Sequence, residues 1–413
     1  MLEKVEETKC MHVPMTVWKG KVNNREFIIR GPQLFAAYSM WGNQWLKLLL
    51  FYNDWCNRVN LLISCFDILM STKERKQKSQ EMGIRGLMMW QREMYIKKIK
   101  ETLSKKFAAY RDYLKYTEVE TPTFNTNLIM LDSGGFSLDT ETNVSKFIEE
   151  GFSIKYPSYT QKKLLRLQAK MEPDIILTLD RVIKNPNRMS IKEKEERINF
   201  NLKCAKAALE TKAEMLDNEE FNSLLFAVIH PFGPKIDNLS NKIINYYLEN
   251  CASYVGKLID FEQEIGEEFD GFAVGSLISL PLEIVMPIGE AIFKQLRFEK
   301  GRDVFLHGLG VTNIKARHLL RIGFQTFDTN MHVKLARNKW YLLEDEDKKV
   351  VKIDELEVLN CQCPICRTHP ISEFRERRRG VAEVSTVLLS LHNFFVYEKK
   401  LISPTSQVIQ NDL

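Results

Sequence analysis

From Leu128 onward the chain repeats one pattern, a short apolar run followed by a longer amphipathic stretch. The runs are Leu128–Leu131, Ile175–Leu179, Leu224–Ile229, Gly271–Val274 and Val304–His307, and the periodicity near 159–171, 191–216, 239–264, 281–299 and 312–320 is helical. A parallel strand needs a long crossover, usually a helix. Being covered on both faces, it reads as a continuous apolar run rather than an alternating one. The alternation therefore predicts an α/β fold built on a parallel sheet, with its chemistry beyond the carboxyl ends of the strands. The 413 residues suffice for one large barrel with elaborations or for two or three ordinary domains. The five runs are fewer than the eight strands that a closed barrel requires.

Composition narrows the class. Hydrophobic residues at 44% and charged residues at 27% exclude a disordered or fibrous chain. No apolar run reaches the roughly 18 residues of a membrane span, and the first residues (MLEKVEETKC) are charged, so a cytoplasmic protein without a membrane partner is expected. Three of the eight cysteines fall within Cys361–Cys366, which fits a reducing compartment with one metal site better than a disulfide framework. Cys10, Cys56, Cys65, Cys204 and Cys251 read as ordinary buried thiols. The net charge of +5 is unevenly placed, since residues 71–115 carry 13 Lys/Arg against 5 Asp/Glu.

The segment ahead of the repeating pattern divides in two. Residues 14–35 alternate apolar and polar, with Asn23-Asn24 between two β-prone runs, which predicts a hairpin within a β-rich edge or lid spanning 1–35. Residues 36–120 read as a helical insertion, apolar and aromatic at first (Trp41, Trp45, Trp55) and strongly basic later. In the later half, Trp90, Tyr95, Tyr110, Tyr113 and Tyr116 are interleaved with Arg85, Arg92, Lys97, Lys98, Lys100, Lys105, Lys106 and Arg111. That composition suits phosphates and bases, and residue by residue it equally suits an amphipathic helix with a solvated basic side. The catalytic core is expected over 121–345 and a metal-binding subdomain over 346–413.

Three carboxylates each follow a strand-like run, which would gather them in one mouth. Asp132 opens Asp132-Ser133-Gly134-Gly135-Phe136, Asp180 closes the stretch from Asp174, and Asp328 follows Phe327. Singly, each could be a helix cap or an ion-pair partner. The glycines after Asp132 leave room for a flat ligand against the backbone. Cys361, Cys363 and Cys366, with one histidine, make a closed tetrahedral donor set suited to structural zinc. His369 lies nearer in sequence and His392 farther.

Taken in order, Asp132–Phe136, Asp174–Asp180, Gly271–Leu277, Gly323–Asn338 and the cysteine cluster resemble the queuine/archaeosine tRNA-guanine transglycosylase family over about residues 125–400. The resemblance implies a TIM (β/α)8 barrel with a C-terminal zinc-binding subdomain, to which the residues themselves add the helical N-terminal insertion. It also implies a pentosyltransferase that exchanges guanine for a free 7-deazaguanine base, such as 7-cyano-7-deazaguanine. By the same resemblance Asp328 is the nucleophile and Asp132 the general acid/base. Ser133 sits beside the base, Asp180 accepts from its amino edge, and the backbone of Gly275, Ser276 and Leu277 meets its carbonyl. The metal ligands become Cys361, Cys363, Cys366 and His392, because the family uses the later histidine, within Leu391-His392-Asn393, and the ion is a structural Zn2+.

Two departures bear on the identity of the incoming base. Ser137 stands where the family usually has Gln, and His230 where many members have another Gln. His230 could donate to the base or be a satisfied structural residue. A non-catalytic, zinc-stabilised nucleic-acid-binding subunit is the competing reading, and the presence of both Asp132 and Asp328 speaks for the enzyme. The basic insertion resembles the branch of the family that modifies DNA, and is expected to form a second wall of the nucleic-acid groove; tRNA is the alternative polymer. Arg375, Arg377, Arg378 and Arg379 are placed to clamp phosphates. A homodimer or the partner proteins of a modification system would complete the assembly.

Overall fold

A computed structural model describes residues 2–10, 13–22, 25–38, 59–106, 128–139, 141–311, 313–344, 350–375 and 382–402. The chain opens with an antiparallel three-stranded sheet of β1 (Leu2–Cys10), β2 (Val13–Val22) and β3 (Arg25–Gly31). Val22 pairs with Arg25, so the expected hairpin is present, and Asn23-Asn24 between them lie outside the described residues. Next come β4 (Gln33–Tyr38), β5 (Asn60–Ser64), β6 (Ile129–Asp132), β7 (Ile175–Leu177), β8 (Leu224–Ile229), β9 (Gly271–Val274), β10 (Leu306–Gly308) and β11 (Thr326–Thr329). These eight strands form a closed barrel in chain order, every neighbouring pair is parallel, and β11 pairs back onto β4.

Local sequence explains the outer layer. The helix Ile191–Asp217 starts at a capping box, in which Ser190 and Glu193 satisfy each other's backbone N–H. Helix Asn241–Ile265 is capped by Ser240 and ends at left-handed Gly266, and helix Leu282–Lys300 ends likewise at Gly301. Every residue of β7, β8, β9 and β11 is buried, as strands covered on both faces must be.

The two ends of the barrel differ in kind. At the amino-terminal end, Asp174 accepts the Ile129 N–H and pairs with Arg85 at 2.5 Å. Asp270 accepts the Leu225 N–H and pairs with Lys212 at 2.9 Å. Burial alone would raise the Asp270 carboxyl, but the Lys212 charge holds it below its ordinary value. These carboxylates fix strand starts. The first Asp of the Asp174–Asp180 stretch is therefore structural, and the second lies at the opposite end.

The barrel begins at Gln33 and not near residue 121, so the expected boundaries at 35, 36 and 120 cut through it. β4 and β5 fall where an edge and a helical insertion were expected, and the helix Lys73–Lys106 follows them. The β1–β3 sheet does not lie over the mouth. Trp18 packs edge-on against Phe305 at 5.3 Å, Arg302 donates to the Leu2 carbonyl, and Lys4 pairs with Asp303, all just before β10 begins. The sheet closes the barrel's amino-terminal end.

The basic helix reaches that same end at its kink. Helix Lys73–Lys106 breaks at Gly83, where φ is 70°, and Ile84 N donates to the Met171 carbonyl ahead of β7. Ile84, Leu87 and Met88 are buried beneath the barrel, whereas Glu93, Met94 and Lys97 are exposed. Beyond Gly83 the helix thus departs opposite the mouth and not beside it. Trp41, Trp45, Trp55, Tyr110, Arg111, Tyr113 and Tyr116 lie outside the described residues, as do the side chains of Arg92, Tyr95, Lys98, Lys100, Lys105 and Lys106.

After β11, helix Met331–Arg337 leads to the hairpin of β12 (Trp340–Leu342) and β13 (Val350–Lys352), then to the cysteine loop and the helix Ala382–Ile402. The last helix packs on Met331–Arg337, with His332 against Phe394 at 5.2 Å. No helix among the described residues is long and apolar enough to cross a membrane.

Candidate active site and metal centre

The carboxyl ends of the barrel strands bring the expected residues together. Asp132 ends β6, in register with Ser64 of β5. Ser133 follows it and donates to Asp180 Oδ1 at 3.0 Å. Asp180 lies three residues past β7, and its other oxygen, Oδ2, meets His230 Nε2 at 2.8 Å just after β8. His230 Nδ1 is 2.8 Å from Ser276 Oγ, after β9. An ionised carboxylate only accepts, so Nε2 carries the proton toward Asp180 and Nδ1 accepts the Ser276 O–H. Ser276 Oγ in turn accepts the Ile183 N–H at 3.0 Å. Ser133, Asp180, His230 and Ser276 therefore form one satisfied chain.

His230 has no ring N–H left over in this arrangement. Of the two readings that the sequence left open, the geometry matches a satisfied histidine that orients Asp180. Ser276 sits at φ 60°, a left-handed conformation uncommon for a serine, which its two hydrogen bonds offset.

Close packing explains two glycines. A Cβ on Gly135 would run into the Asp180 carbonyl and lie 2.5 Å from Oδ1, and one on Gly275 would lie 2.5 Å from His230 Cε1. Both must be bare for the chain of hydrogen bonds to lie against the loops. Leu277 is fully buried and begins a 3-10 turn, Leu277–Ser279. Lys315 Nζ donates to the carbonyls of Leu277, Ile278 and Leu280 at 3.1, 2.9 and 2.5 Å, clamping this loop onto the helix Asn313–Ile322.

Asp132 keeps part of its surface open to the mouth, yet its carboxyl is pushed up to about 8. Burial is the largest cause and the Asp180 charge the next. The Gly134 N–H opposes them, and Asp328 and Asp67 add to the rise. A carboxyl with that proton affinity is protonated at neutral pH and can donate. Asp328 lies in β11, buried, with Gly310 N donating to Oδ1 at 2.7 Å and His307 Nε2 at 3.3 Å from the same oxygen.

His307, Asp67 and Lys315 were not singled out from the sequence. His307 ends the apolar run Val304–His307, so the same positional rule would have flagged it, whereas Asp67 lies in the short helix Cys65–Leu69 after β5, a strand the rhythm did not locate. Lys315 reaches a neighbouring loop across the fold and carried no local signal.

The metal centre gathers Cys361, Cys363, Cys366 and His392, whose ligand atoms all lie within 4.8 Å of one another. His392 Nε2 donates to the Leu342 carbonyl at 2.9 Å, which leaves the Nδ1 lone pair facing Cys363 and Cys366 at 3.5 and 3.3 Å. Tyr341 stacks on the ring at 3.7 Å, and Asn393 bonds both Leu342 N and the Trp340 carbonyl. Hydrogen bonds with the Cys361 and Cys366 thiols push Cys363 down to about 4 against burial, and the Cys366 and Ile365 N–H groups add to the effect. Three soft sulfurs and one oriented imidazole fit a four-coordinate ion with no open position. His369 is engaged elsewhere, with Glu373 at 2.6 Å. Arg375 donates to the Ile353 carbonyl, and Arg377, Arg378 and Arg379 lie outside the described residues.

The chain matches a family model described as queuine tRNA-ribosyltransferase over residues 72–412. It is 27% identical over 290 residues to a queuine tRNA-ribosyltransferase of Francisella tularensis subsp. mediasiatica, covering 67% of this chain and 70% of that protein. It is 24% identical over 283 residues to one of Acinetobacter baylyi, covering 66% of each. With a closed (β/α)8 barrel, a mouth of paired carboxylates and a Cys3His cluster in the expected place, the chain belongs to the queuine tRNA-ribosyltransferase family and is a pentosyltransferase that exchanges bases.

Proposed function

We propose that the protein replaces guanine in a polynucleotide with a free 7-deazaguanine through a covalent link between Asp328 and the sugar. The observation that carries this reading is the pairing of a carboxylate held by donors, Asp328, with a carboxyl pushed up to about 8, Asp132, in one mouth. In the first half-reaction an Asp328 oxygen attacks C1′ and the bond from C1′ to the base nitrogen breaks. The electron pair leaves with the base, and the Asp132 proton goes to that nitrogen. In the second half the incoming base gives its ring proton to Asp132 and attacks C1′, and the electron pair returns to the Asp328 carboxylate. One glycosidic bond replaces another, so no nucleotide triphosphate is needed. Asp180, oriented by Ser133 and His230, accepts from the amino edge of the base, and the Gly275–Leu277 loop meets its carbonyl.

We assign zinc to the cysteine cluster, where Cys361, Cys363, Cys366 and His392 would hold it and tie the C-terminal helix to β12. The ion supplies folding free energy and no step of the chemistry.

The polymer we assign is DNA. Its support is the unusually long stretch between β5 and β6, whose described helix carries 11 Lys/Arg against 4 Asp/Glu and offers a long polyanion a second binding surface. tRNA is the second reading, favoured by the names of the relatives. The test is incubation of the purified protein with duplex DNA, single-stranded DNA and tRNA, each with radiolabelled guanine, followed by denaturing electrophoresis. The wild type should form a denaturation-resistant adduct with DNA, and Asp328→Ala should form none. Exchange by Asp328→Ala would overturn the nucleophile, and exchange into tRNA alone would overturn the polymer.

A further inference from the structure

We propose that His307 is a positioning residue for Asp328, its Nε2–H holding one carboxylate oxygen so that the other attacks, and receiving the charge that returns to that carboxylate when the adduct resolves. The inference rests on the reading of Asp328 as nucleophile.

The register sets the geometry. His307 of β10 pairs with Thr326 of β11, two residues before Asp328, and residues two apart in a strand face the same way. The imidazole therefore bridges both. Nδ1 lies 2.8 Å from Thr326 Oγ1, and Nε2 lies 3.3 Å from Asp328 Oδ1. Because the carboxylate can only accept, Nε2 is the protonated nitrogen, and the Thr326 O–H donating to Nδ1 fixes that tautomer. Phe35, paired with Asp328 on its other side, stands perpendicular to the imidazole at 5.7 Å and fixes the ring plane. His307 is fully buried, so the ring cannot turn its nitrogens to solvent.

Among the described residues both donors to Asp328, Gly310 N and His307 Nε2, converge on Oδ1, and none reaches Oδ2. Oδ2 is thus the free attacking atom. When Oδ2 bonds to C1′, the carboxylate charge disappears and the donors face an uncharged ester carbonyl. When the incoming base attacks C1′ and the C1′–Oδ2 bond breaks, the pair of electrons returns to the carboxylate beneath both donors. Donors aimed where charge develops lower that barrier, so His307 acts most strongly on resolution of the adduct. During formation its orienting effect and its stabilisation of the free carboxylate oppose each other.

The test separates the two half-reactions in the full-length protein, using a guanine-containing oligonucleotide of whichever polymer the wild type accepts and radiolabelled guanine as incoming base. His307→Phe keeps the ring against Phe35 and removes both nitrogens. Adduct decay on adding guanine should slow by about 10- to 100-fold, as expected for loss of one hydrogen bond to a charged group, and the steady-state adduct should rise. His307→Gln, which restores an N–H, should recover at least part of the decay rate. The KM for guanine should not move. Decay at the wild-type rate in His307→Phe, or equal losses of formation and decay in both variants, would overturn the proposal. If His307→Phe does not fold, Thr326→Val reads the same quantity: slower decay supports the proposal, and unchanged decay overturns it. Adduct formation by Asp328→Ala would instead overturn the nucleophile itself, an outcome distinct from these.

Discussion

Asp132 carries two testable consequences of one property. The folded protein keeps its proton up to about pH 8, whereas the unfolded chain gives it up near 3.8. Folding is therefore favoured by this group at low pH, and that advantage is lost progressively as the pH rises from about 4 through 8. Asp132→Asn cannot ionise and escapes the loss. Its melting temperature should match the wild type near pH 4 and exceed it by a widening margin up to about pH 8; a margin independent of pH would show that the carboxyl is not raised. The same substitution should slow exchange by about 10²–10⁴-fold, the usual contribution of a general acid/base. Gly135→Ala tests the other half of the site. Its methyl would displace Asp180 from Ser133 and His230, so the KM for the free base should rise at least about tenfold, the scale of one missing hydrogen bond to a charged group. An unchanged KM would exclude Asp180 from base recognition. Asp132, Asp180 and Asp328 were legible in the sequence because each ends an apolar run. The pairings that tune them were not, although Ser133 and His230 were themselves candidates, because His307–Asp328 and Asp180–His230 join residues of different βα units, brought together by the register of the closed barrel.

At the scale of elements, the repeating rhythm located β6 to β10 and the helices near 159–171, 191–216, 239–264, 281–299 and 312–320 to within a few residues, but not the helix Glu141–Glu149 between β6 and β7. The other three barrel strands escaped it for identifiable reasons. β4 follows a hairpin of similar composition, so the sheet and the first barrel strand read as one β-rich edge. β5 is followed by an interruption that masks its βα unit, and β11 is four residues whose last two are Asp328 and Thr329, polar although buried. The metal centre was legible because its chemistry is local, three cysteines within six residues, with only the choice of histidine left to the fold. That centre ties the helix Ala382–Ile402 to β12 through His392 and Asn393, so removing a ligand should act on the subdomain first. Cys363→Ser should lower bound zinc well below one per chain, reduce the melting temperature and expose the last helix to proteolysis. Full zinc occupancy with unchanged melting would mean that other groups hold the ion.

The whole molecule separates its functions along the barrel axis. The β1–β3 sheet and the kinked helix at Gly83 close the amino-terminal end, where Asp174 and Asp270 serve the strands, and the reactive groups occupy the open end. A guanine inside a duplex presents no path from C1′ to Asp328, so the target nucleotide must leave the stack to enter the mouth. Beyond Gly83 the basic helix leaves from the opposite end and is exposed at Glu93, Met94 and Lys97, so it does not read the flipped base. It can act only on a polymer long enough to reach around the barrel. Replacing Lys97, Lys98, Lys100, Lys105 and Lys106 with Gln should therefore weaken binding of long duplex DNA at all sequences alike. The slope of log affinity against log salt should flatten by about 0.9 for each phosphate that these lysines no longer neutralise. Turnover of a short single-stranded oligonucleotide, which occupies the mouth alone, should stay at the wild-type value. Loss of turnover on the short substrate would place these lysines at the mouth, and an unchanged salt slope on every polymer would remove the helix from nucleic-acid binding and, with it, the support it gives to DNA.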